Sequence, residues 1–390
     1  MMDIKTLAKE QEAYIIGQRR HFHMYPELSK QEVQTTKHIV AELQKMGIEV
    51  QTFDNCLGCV GVIRGSRPGK TVMLRADIDA LPISEPQNKP YASKNPGVMH
   101  ACGHDCHMAM LLGAAKILSA HRDELNGTVK LLFQWAEETG DNAVIYVENG
   151  ALDDVDAVFG MHVWLAMDAG FANFQDGERM ASSDRFSITV KGRSAHAAAP
   201  HDGKDAIVAA SAVVMALQSL VTRMNDPLNS LVLSMGAMNG GQKLNIIADT
   251  VELVGTVRTF NRAFRAAMPA KVEQMARDVA AGYGCTVECT YEFYPAPVIN
   301  EHPELTRLAQ GAAVAMLGEK SLVPLQKMMG ADDFSGLMRK APGVYGYIGA
   351  RNAAKGLTAT HHNPAFDIDE DILHSGAGIY ARFAVDFLKG

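Results

Sequence analysis

The fold is indicated most directly by residues 71–79, which read TVMLRADID. The first five form a nearly continuous apolar run, which is typical of a strand covered on both faces in a parallel sheet. Similar runs follow at Thr128–Gln134, Ala157–His162 and Val344–Gly349. Helical patterns separate the runs, among them the Ala- and Leu-rich segment Met108–Ala120. The alternation predicts an α/β fold in which helices flank a largely parallel mixed sheet.

The middle of the chain has a different pattern. Half-buried strands are predicted at Arg185–Lys191, Leu231–Met235, Thr250–Thr259 and Thr286–Phe293, and helices at Asp205–Met224 and Ala263–Tyr283. The order strand–helix–strand–strand–helix–strand is typical of a small split βαβ sandwich. We therefore expect a smaller α+β domain, residues 183–294, inserted into a larger domain made of residues 1–182 and 295–390.

Composition narrows the class of function. The chain has 390 residues, of which 47% are hydrophobic and 21% charged, with a formal charge of −7. This is enough for two or three globular domains at roughly 150 residues each. Lys and Arg are scattered, so no basic patch for nucleic acid or for an anionic membrane is expected. The composition favours an enzyme that acts on a small molecule.

The N-terminal region and the cysteines bear on location. A helical period fills most of residues 5–47, ending at Gly47, and no apolar core of a secretory signal precedes it. The longest apolar stretch, Ala206–Val221, is too short for a membrane span of roughly 20 residues. We expect a cytoplasmic protein with reduced cysteines. A structural zinc or redox role for Cys56 and Cys59 stays open.

Polar residues gather where the predicted core strands end. Asp77 and Asp79 follow the first strand, Glu137 and Glu138 follow the second, and the third ends at His162. Two loops add to this set, His100-Ala-Cys-Gly-His-Asp-Cys-His107 and Thr360-His-His-Asn363. Ligands of open parallel sheets bind outside the carboxyl ends of the strands. Thiolate, imidazole and carboxylate groups together predict a transition-metal site there.

Several motifs occur in a family-specific order. They are Arg75-Ala-Asp-Ile-Asp-Ala-Leu-Pro82, His100-Ala-Cys-Gly-His-Asp105, Gln134-x-Ala-Glu-Glu138, Gly160-Met-His-Val163 and Gly192-Arg-Ser-Ala-His-Ala-Ala-Ala-Pro-His201. In this order the chain resembles the dinuclear-metal amidohydrolases that include hippurate hydrolase, N-acyl-amino-acid hydrolases and plant auxin-conjugate hydrolases. The resemblance covers almost the whole chain, from Arg20 to Asp367. It implies a catalytic α/β domain interrupted by a lid domain.

The resemblance also implies a set of metal ligands and a catalytic base. The five ligands are Cys102, His104, Glu138, His162 and His362. Cys102 would bridge two divalent ions, Mn, Zn, Co or Ni, with two further ligands for each ion. Glu137 would act as general base on a metal-activated water and then protonate the leaving amine. Asp77 or Asp105 is expected to orient a ligand histidine.

The inserted domain is expected to contribute to substrate binding. By the same resemblance, His196 would hold the scissile carbonyl, and Asn245 and Arg258 would bind the carboxylate of the substrate. A surface ion pair is the alternative reading of Arg258. The family also implies a homodimer, or a higher homo-oligomer, formed through the lid domain.

These observations predict metal-dependent hydrolysis of the amide bond of N-acyl amino acids, such as N-acetyl or N-benzoyl derivatives. Two alternatives stay open, a dipeptidase or aminopeptidase on the same scaffold and a non-catalytic metal-binding protein. Trp135 and Cys106 depart from the usual residues of the family, and both are expected to influence the acyl pocket.

Overall fold

The computed structural model describes residues 2–389. Its helices are α1 Ile4–Glu10, α2 Glu12–Met24, α3 Val33–Lys45, α4 His104–Ala120, α5 Val144–Glu148, α6 Ala206–Thr222, α7 Arg262–Gly282, α8 Pro303–Leu317, α9 Phe334–Met338 and α10 Leu373–Leu388. Its strands are β1 Glu49–Gln51, β2 Gly58–Arg64, β3 Arg67–Asp77, β4 Asn126–Gln134, β5 Ala157–Asp168, β6 Ala172–Asn173, β7 Gly177–Met180, β8 Asp184–Lys191, β9 Leu231–Gly240, β10 Thr250–Thr259, β11 Thr286–Glu292, β12 Val298–Asn300 and β13 Gly343–Arg351.

The chain divides into two compact units. The larger unit comprises Met1–Arg179, Ile299–Gln326 and Asp333–Gly390, and the inserted unit comprises Met180–Val298 and Lys327–Asp332. The inserted unit thus begins and ends a few residues outside the expected segment 183–294. It also includes the short segment Lys327–Asp332, which follows residues Ile299–Gln326 of the larger unit.

The larger unit is built on a seven-stranded mixed sheet in the order β1-β2-β4-β3-β5-β13-β6. The four central strands, β4, β3, β5 and β13, are mutually parallel, and the outer strands pair antiparallel. These four central strands contain the four apolar runs noted in the sequence. The predicted fold class, a largely parallel mixed sheet flanked by helices, is confirmed.

Two buried helices cover one face of this sheet. α4 and α10 pack against each other and against β3, and most residues of both helices are buried. Small residues permit their close approach. A Cβ atom added at Gly113 would lie 2.9 Å from the Cβ of Ala377. This packing fixes α4, whose N-terminal end carries His104, against the carboxyl ends of the central strands.

The prediction that helix fills most of residues 5–47 is confirmed. The helical residues are divided among three helices, with a break at residues 25–32. Tyr25 precedes Pro26 and leaves the helical region with φ −126° and ψ 53°, because a following proline disfavours the helical conformation. The last helix ends at Lys45, and Gly47 has a positive φ of 66°.

The inserted unit contains a four-stranded antiparallel sheet in the order β11-β8-β10-β9. The chain order β8-α6-β9-β10-α7-β11 is the predicted one. Ile188 of β8, Leu217 of α6 and Val272 of α7 belong to one hydrophobic core, so both helices cover the same face of this sheet. The other face carries the alternate residues of each strand.

Two sequence expectations concern membranes and cysteines. Among residues 2–389, no helix is long and apolar enough to cross a membrane. All six cysteines are free. Cys56 and Cys59 are buried, and burial raises the pKa of their thiols to about 11 and about 12. Within the described part of the chain, neither cysteine belongs to a group of residues that could hold a metal ion.

Candidate metal centre

The segment Cys102-Gly103-His104 turns sharply into α4. Gly103 is the residue before the helix and has a φ of 93°, which a residue without a side chain adopts readily. A Cβ at this position would lie 2.4 Å from Cγ2 of Val163. The turn therefore requires glycine, and it places the side chains of Cys102 and His104 at the first turn of the helix.

Glu137 and Glu138 lie in a short 3-10 helix that follows β4. Ala136, the residue before them, has a left-handed φ of 53°, a conformation that is costly for a residue with a side chain. Two buried carboxylates hold this turn. Glu32 Oε1 accepts from Ala136 N at 2.8 Å, and Asp79 Oδ2 accepts from Glu138 N at 3.0 Å.

His162 and His362 reach the site from β5 and from the loop before α10. Val163 belongs to the core packed beneath the helices, so its neighbour His162 lies on the opposite face of β5. His362 has a φ of 61°, and its N donates to Ala101 O at 2.8 Å. This hydrogen bond joins the His362 loop to the loop of Cys102.

The five predicted ligands form two groups of three that share Cys102. The first group is Cys102, His104 and His162, and the second is Cys102, Glu138 and His362. Within each group the ligand atoms lie within 4.8 Å of one another. Cys102 Sγ lies 3.5 Å from His162 Nε2, and His362 Nε2 lies 3.5 Å from Glu138 Oε1. This is the arrangement expected of two metal sites that share one thiolate.

The donor atoms fit a pair of divalent cations. His104 Nε2 and Glu138 Oε1 are buried and have no hydrogen-bond partner among the described residues. Burial disfavours the charged imidazole of His104, but Asp77 and Asp79 outweigh burial and raise its pKa to about 10. Burial, Glu138 and Glu137 raise the pKa of Cys102 well above its usual value. The neighbouring carboxylates favour positive charge at this site, and a bound cation would stabilise the thiolate.

Asp79 orients His104, which differs from the sequence expectation. His104 Nδ1 lies 2.9 Å from Asp79 O and 3.2 Å from Asp79 Oδ1, so its other nitrogen faces the site. Asp105 instead accepts from Arg19 Nε at 2.9 Å and lies 2.7 Å from His23 Nδ1. The proposed role of Asp105 was wrong, because its side chain points away from the ligands into a buried ion-pair network.

Asp77 has a supporting role through His107, a histidine of the predicted loop to which the sequence analysis assigned no role. His107 Nε2 accepts from Val163 N at 2.9 Å, so the proton of the ring is on Nδ1, which lies 2.5 Å from Asp77 Oδ1. Both ring nitrogens are therefore used. His107 follows His104 by three positions on α4, a spacing that places both on one face of the helix. This spacing was the feature of the sequence from which a supporting role for His107 could have been inferred.

Glu137 lies beside the predicted ligands. Its carboxylate, the ligand atom of Glu138 and that of His104 lie within 4.8 Å of one another, and the side chain is partly exposed. Cys106 is fully buried in the core. Its side chain packs among the core residues of the larger unit, and it belongs to none of the candidate metal groups in residues 2–389.

The three remaining predicted residues lie in the inserted unit. His196 and Asn245 occupy paired segments, since His196 forms a β-bridge with Ile246 and Ala197 N donates to Asn245 O at 3.1 Å. Both side chains are exposed. Arg258 of β10 donates to Met329 O at 3.1 Å and forms no ion pair with any described residue, which removes the ion-pair reading.

Comparisons with known proteins identify the family of the chain. The model of peptidase family M20/M25/M40 matches residues 73–386. The chain is 39% identical to an N-acetyl-L-cysteine deacetylase from Bacillus subtilis over 95% of this chain and 86% of the relative. It is also 39% identical to IAA-amino acid hydrolase ILR1-like 4 from Arabidopsis thaliana over 98% of this chain and 88% of the relative.

A solved structure adds the metal content of a relative. The Bacillus subtilis YXEP protein, described as a dinuclear metal-binding peptidase of the M20 family, superposes with a TM-score of 0.86 at 37% identity and covers 98% of this chain and 99% of its own. The resemblance inferred from the motifs is confirmed, and the chain is a hydrolase of the amidohydrolase and peptidase class. It belongs to peptidase family M20/M25/M40.

Proposed function

We propose that this protein hydrolyses the amide bond of N-acyl amino acids and releases a carboxylic acid and a free amino acid. The observation that carries the proposal is the pair of ligand groups that share Cys102, with the carboxylate of Glu137 beside them. Relatives named as an N-acetyl-L-cysteine deacetylase and an IAA-amino acid hydrolase support this substrate class.

Cys102, His104 and His162 would hold one divalent ion, and Cys102, Glu138 and His362 the other. Such ions polarise a carbonyl group and lower the pKa of a bound water when present. Mn, Zn, Co and Ni all suit mixed thiolate, imidazole and carboxylate ligands. Asp79 holds the ring of His104 in the orientation that leaves Nε2 for the ion.

Glu137 is proposed as the general base and then the general acid. It accepts a proton from the attacking water and delivers that proton to the leaving amide nitrogen. Glu138 is engaged as a ligand, so only the neighbouring carboxylate is left to change its protonation state. The left-handed turn at Ala136 fixes the direction in which both carboxylates point.

Residues of the inserted unit are proposed to bind the substrate. His196 would donate to the carbonyl oxygen, and Asn245 and Arg258 would hold the carboxylate of the amino acid, for which a planar guanidinium is well suited. The unit is also proposed to form a homodimer. α6 contains no charged residue, yet its side chains Ile207, Val208 and Met215 are exposed.

A peptidase on the same scaffold is the second candidate, because the matching family model describes peptidases. A non-catalytic metal protein is disfavoured, since binding alone does not need Glu137. The deciding experiment removes all metal and reloads separate samples with Mn²⁺, Zn²⁺, Co²⁺ or Ni²⁺. Each sample is assayed for amine release from N-acetyl, N-benzoyl, N-butanoyl and indole-acetyl amino acids and from free dipeptides.

Metal-dependent release from N-acyl amino acids is the expected result. Cleavage of dipeptides alone would move the assignment to peptidase. Stoichiometric metal binding without turnover on any of these amides would favour the non-catalytic alternative.

A further inference from the structure

Arg179 is a buried cation without a counter-ion. It is the last residue of the larger unit's first segment, and it is only 3% exposed. It forms no ion pair with any described residue, unlike the other buried arginines Arg19, Arg75 and Arg265. Burial lowers the pKa of its guanidinium. A buried charge of this kind is costly unless a partner compensates it.

The guanidinium of Arg179 shares its side-chain acceptor, Gln175 Oε1, with other donors. Gln175 Oε1 accepts from three groups at once, namely Arg179 Nη1 at 3.3 Å, Asn173 Nδ2 at 2.7 Å and Leu325 N at 3.0 Å. Arg179 Nη2 donates to Leu325 O at 2.9 Å. The Nε atom is buried and has no partner in the part of the chain that the structure describes. An additional anionic acceptor would satisfy this guanidinium.

The sheet connects Arg179 to the candidate metal centre. Tyr347 of β13 is paired in register with His162 of β5, and Asn173 of β6 is paired with Tyr347. Paired residues on neighbouring strands have their side chains on the same face of a sheet. His162, Tyr347 and Asn173 therefore form one row, which Gln175 continues to Arg179. His162 and Asn173 lie two strands apart in this row, which corresponds to roughly 10 Å between their backbones.

We propose that Arg179 binds a carboxylate at the far end of the acyl group, so that the preferred substrates are amino acids N-acylated by a dicarboxylic acid. This inference rests on the proposed hydrolysis of N-acyl amino acids. The amino acid's own carboxylate is assigned to Asn245 and Arg258, which leaves the acyl end for Arg179. A guanidinium pairs with both oxygens of a carboxylate, and burial strengthens that pairing because water does not screen it.

The test compares two acyl groups of equal length. N-succinyl-L-alanine and N-butanoyl-L-alanine differ only in a carboxylate that replaces the terminal methyl group. With the metal-loaded full chain, we expect kcat/KM for the succinyl substrate to be at least about tenfold higher, as for a charge-assisted hydrogen bond. Arg179→Met should reduce this ratio by at least about tenfold. Arg64→Met, which removes an exposed arginine, should leave the ratio unchanged.

A wild-type ratio of one or less, or a ratio that Arg179→Met does not alter, would overturn the proposal. If Arg179→Met fails to fold, Arg179→Lys replaces it, and we expect a smaller but clear fall in the ratio because lysine retains the charge without the planar fork.

Calorimetric titration separates this proposal from the proposed function. Succinate should bind the wild type at least about tenfold more tightly than butyrate, and the Arg179 variant should lose the difference. If neither amide is hydrolysed in any metal form, the proposed function fails, and the titration alone decides the role of Arg179. In that case, equal binding of succinate and butyrate would refute the proposed role of Arg179.

Discussion

Asp79 holds His104 through two of its own atoms, since His104 Nδ1 lies 2.9 Å from the carbonyl oxygen of Asp79 and 3.2 Å from its Oδ1. The second carboxylate oxygen accepts from Glu138 N at 3.0 Å. One buried residue thus positions a predicted ligand of each metal ion. A side chain that supports ligands in this way is important to metal affinity although it is not a ligand.

Asp79→Asn is therefore expected to weaken metal binding by about 10- to 100-fold, the usual effect of removing such a supporting group. The amide keeps the shape of the carboxylate but loses the charge that favours the correct tautomer of His104. Competition with a metal-sensitive chelator measures the affinity. Asp54→Asn, at an exposed position of the same unit, is the control, and equal affinities of the two variants would contradict the supporting role.

Glu137→Gln should retain metal and lose turnover by about 10²- to 10⁴-fold, the range for removal of a general base. Glutamine has the same size but cannot accept a proton. The measurement is kcat together with metal content by mass spectrometry. Glu148→Gln, at an exposed glutamate of α5, should keep full activity. If Glu137→Gln keeps activity within about threefold of the wild type, a loss far smaller than this range, the base must be assigned elsewhere.

Cys102→Ser should reduce the bound metal, because a neutral hydroxyl is a poor replacement for a thiolate that two ions share. Elemental analysis after dialysis against a weak chelator is the measurement. Cys289→Ser in the inserted unit serves as the matched control, since Cys289 lies outside every candidate metal group in residues 2–389. A full complement of two ions in Cys102→Ser would exclude the bridging role.

Glu32→Gln should alter the pH dependence of stability. Burial, followed by the charge of Asp79, raises the pKa of Glu32 to about 7, and one of its oxygens has no partner. The folded state therefore binds a proton more tightly than the unfolded state. This group lowers the free energy of unfolding as pH rises from about 4.5 to about 7.

The loss amounts to roughly 3 kcal/mol, from 1.4 kcal/mol for each pKa unit. Glutamine keeps the acceptor for Ala136 N but does not ionise. Denaturant titrations at pH 5 and pH 8 should show that the variant loses less stability than the wild type over this interval. Parallel curves for the two proteins would refute the raised pKa.

Met215→Glu should convert the proposed homodimer to a monomer. Met215 is 73% exposed on the uncharged helix α6, and a charge placed within an apolar interface would be costly to bury. Light scattering coupled to size exclusion measures the mass. Gln274→Glu, an exposed change on α7, should not alter it. A wild-type protein that is already monomeric would remove the proposal.

Much of the fold was predictable from local pattern. The apolar runs at Thr71–Arg75 and Val344–Gly349 indicated central parallel strands, because a strand covered on both faces needs apolar residues along its whole length. The types of the metal ligands were also readable, since the motifs that carry them are contiguous. The break after α2 was missed although Pro26 was visible, because the helical period resumes beyond it.

The sequence by itself determined which side chains are available for chemistry and in which order the strands and helices follow. Only the tertiary structure decided which of several acidic residues supports a ligand. Asp79 rather than Asp105 meets His104, and Arg179 is left without a counter-ion at the end of a row that begins at His162. Such contacts join residues far apart in the chain. They depend on strand register and helix packing, and local sequence preferences do not specify them.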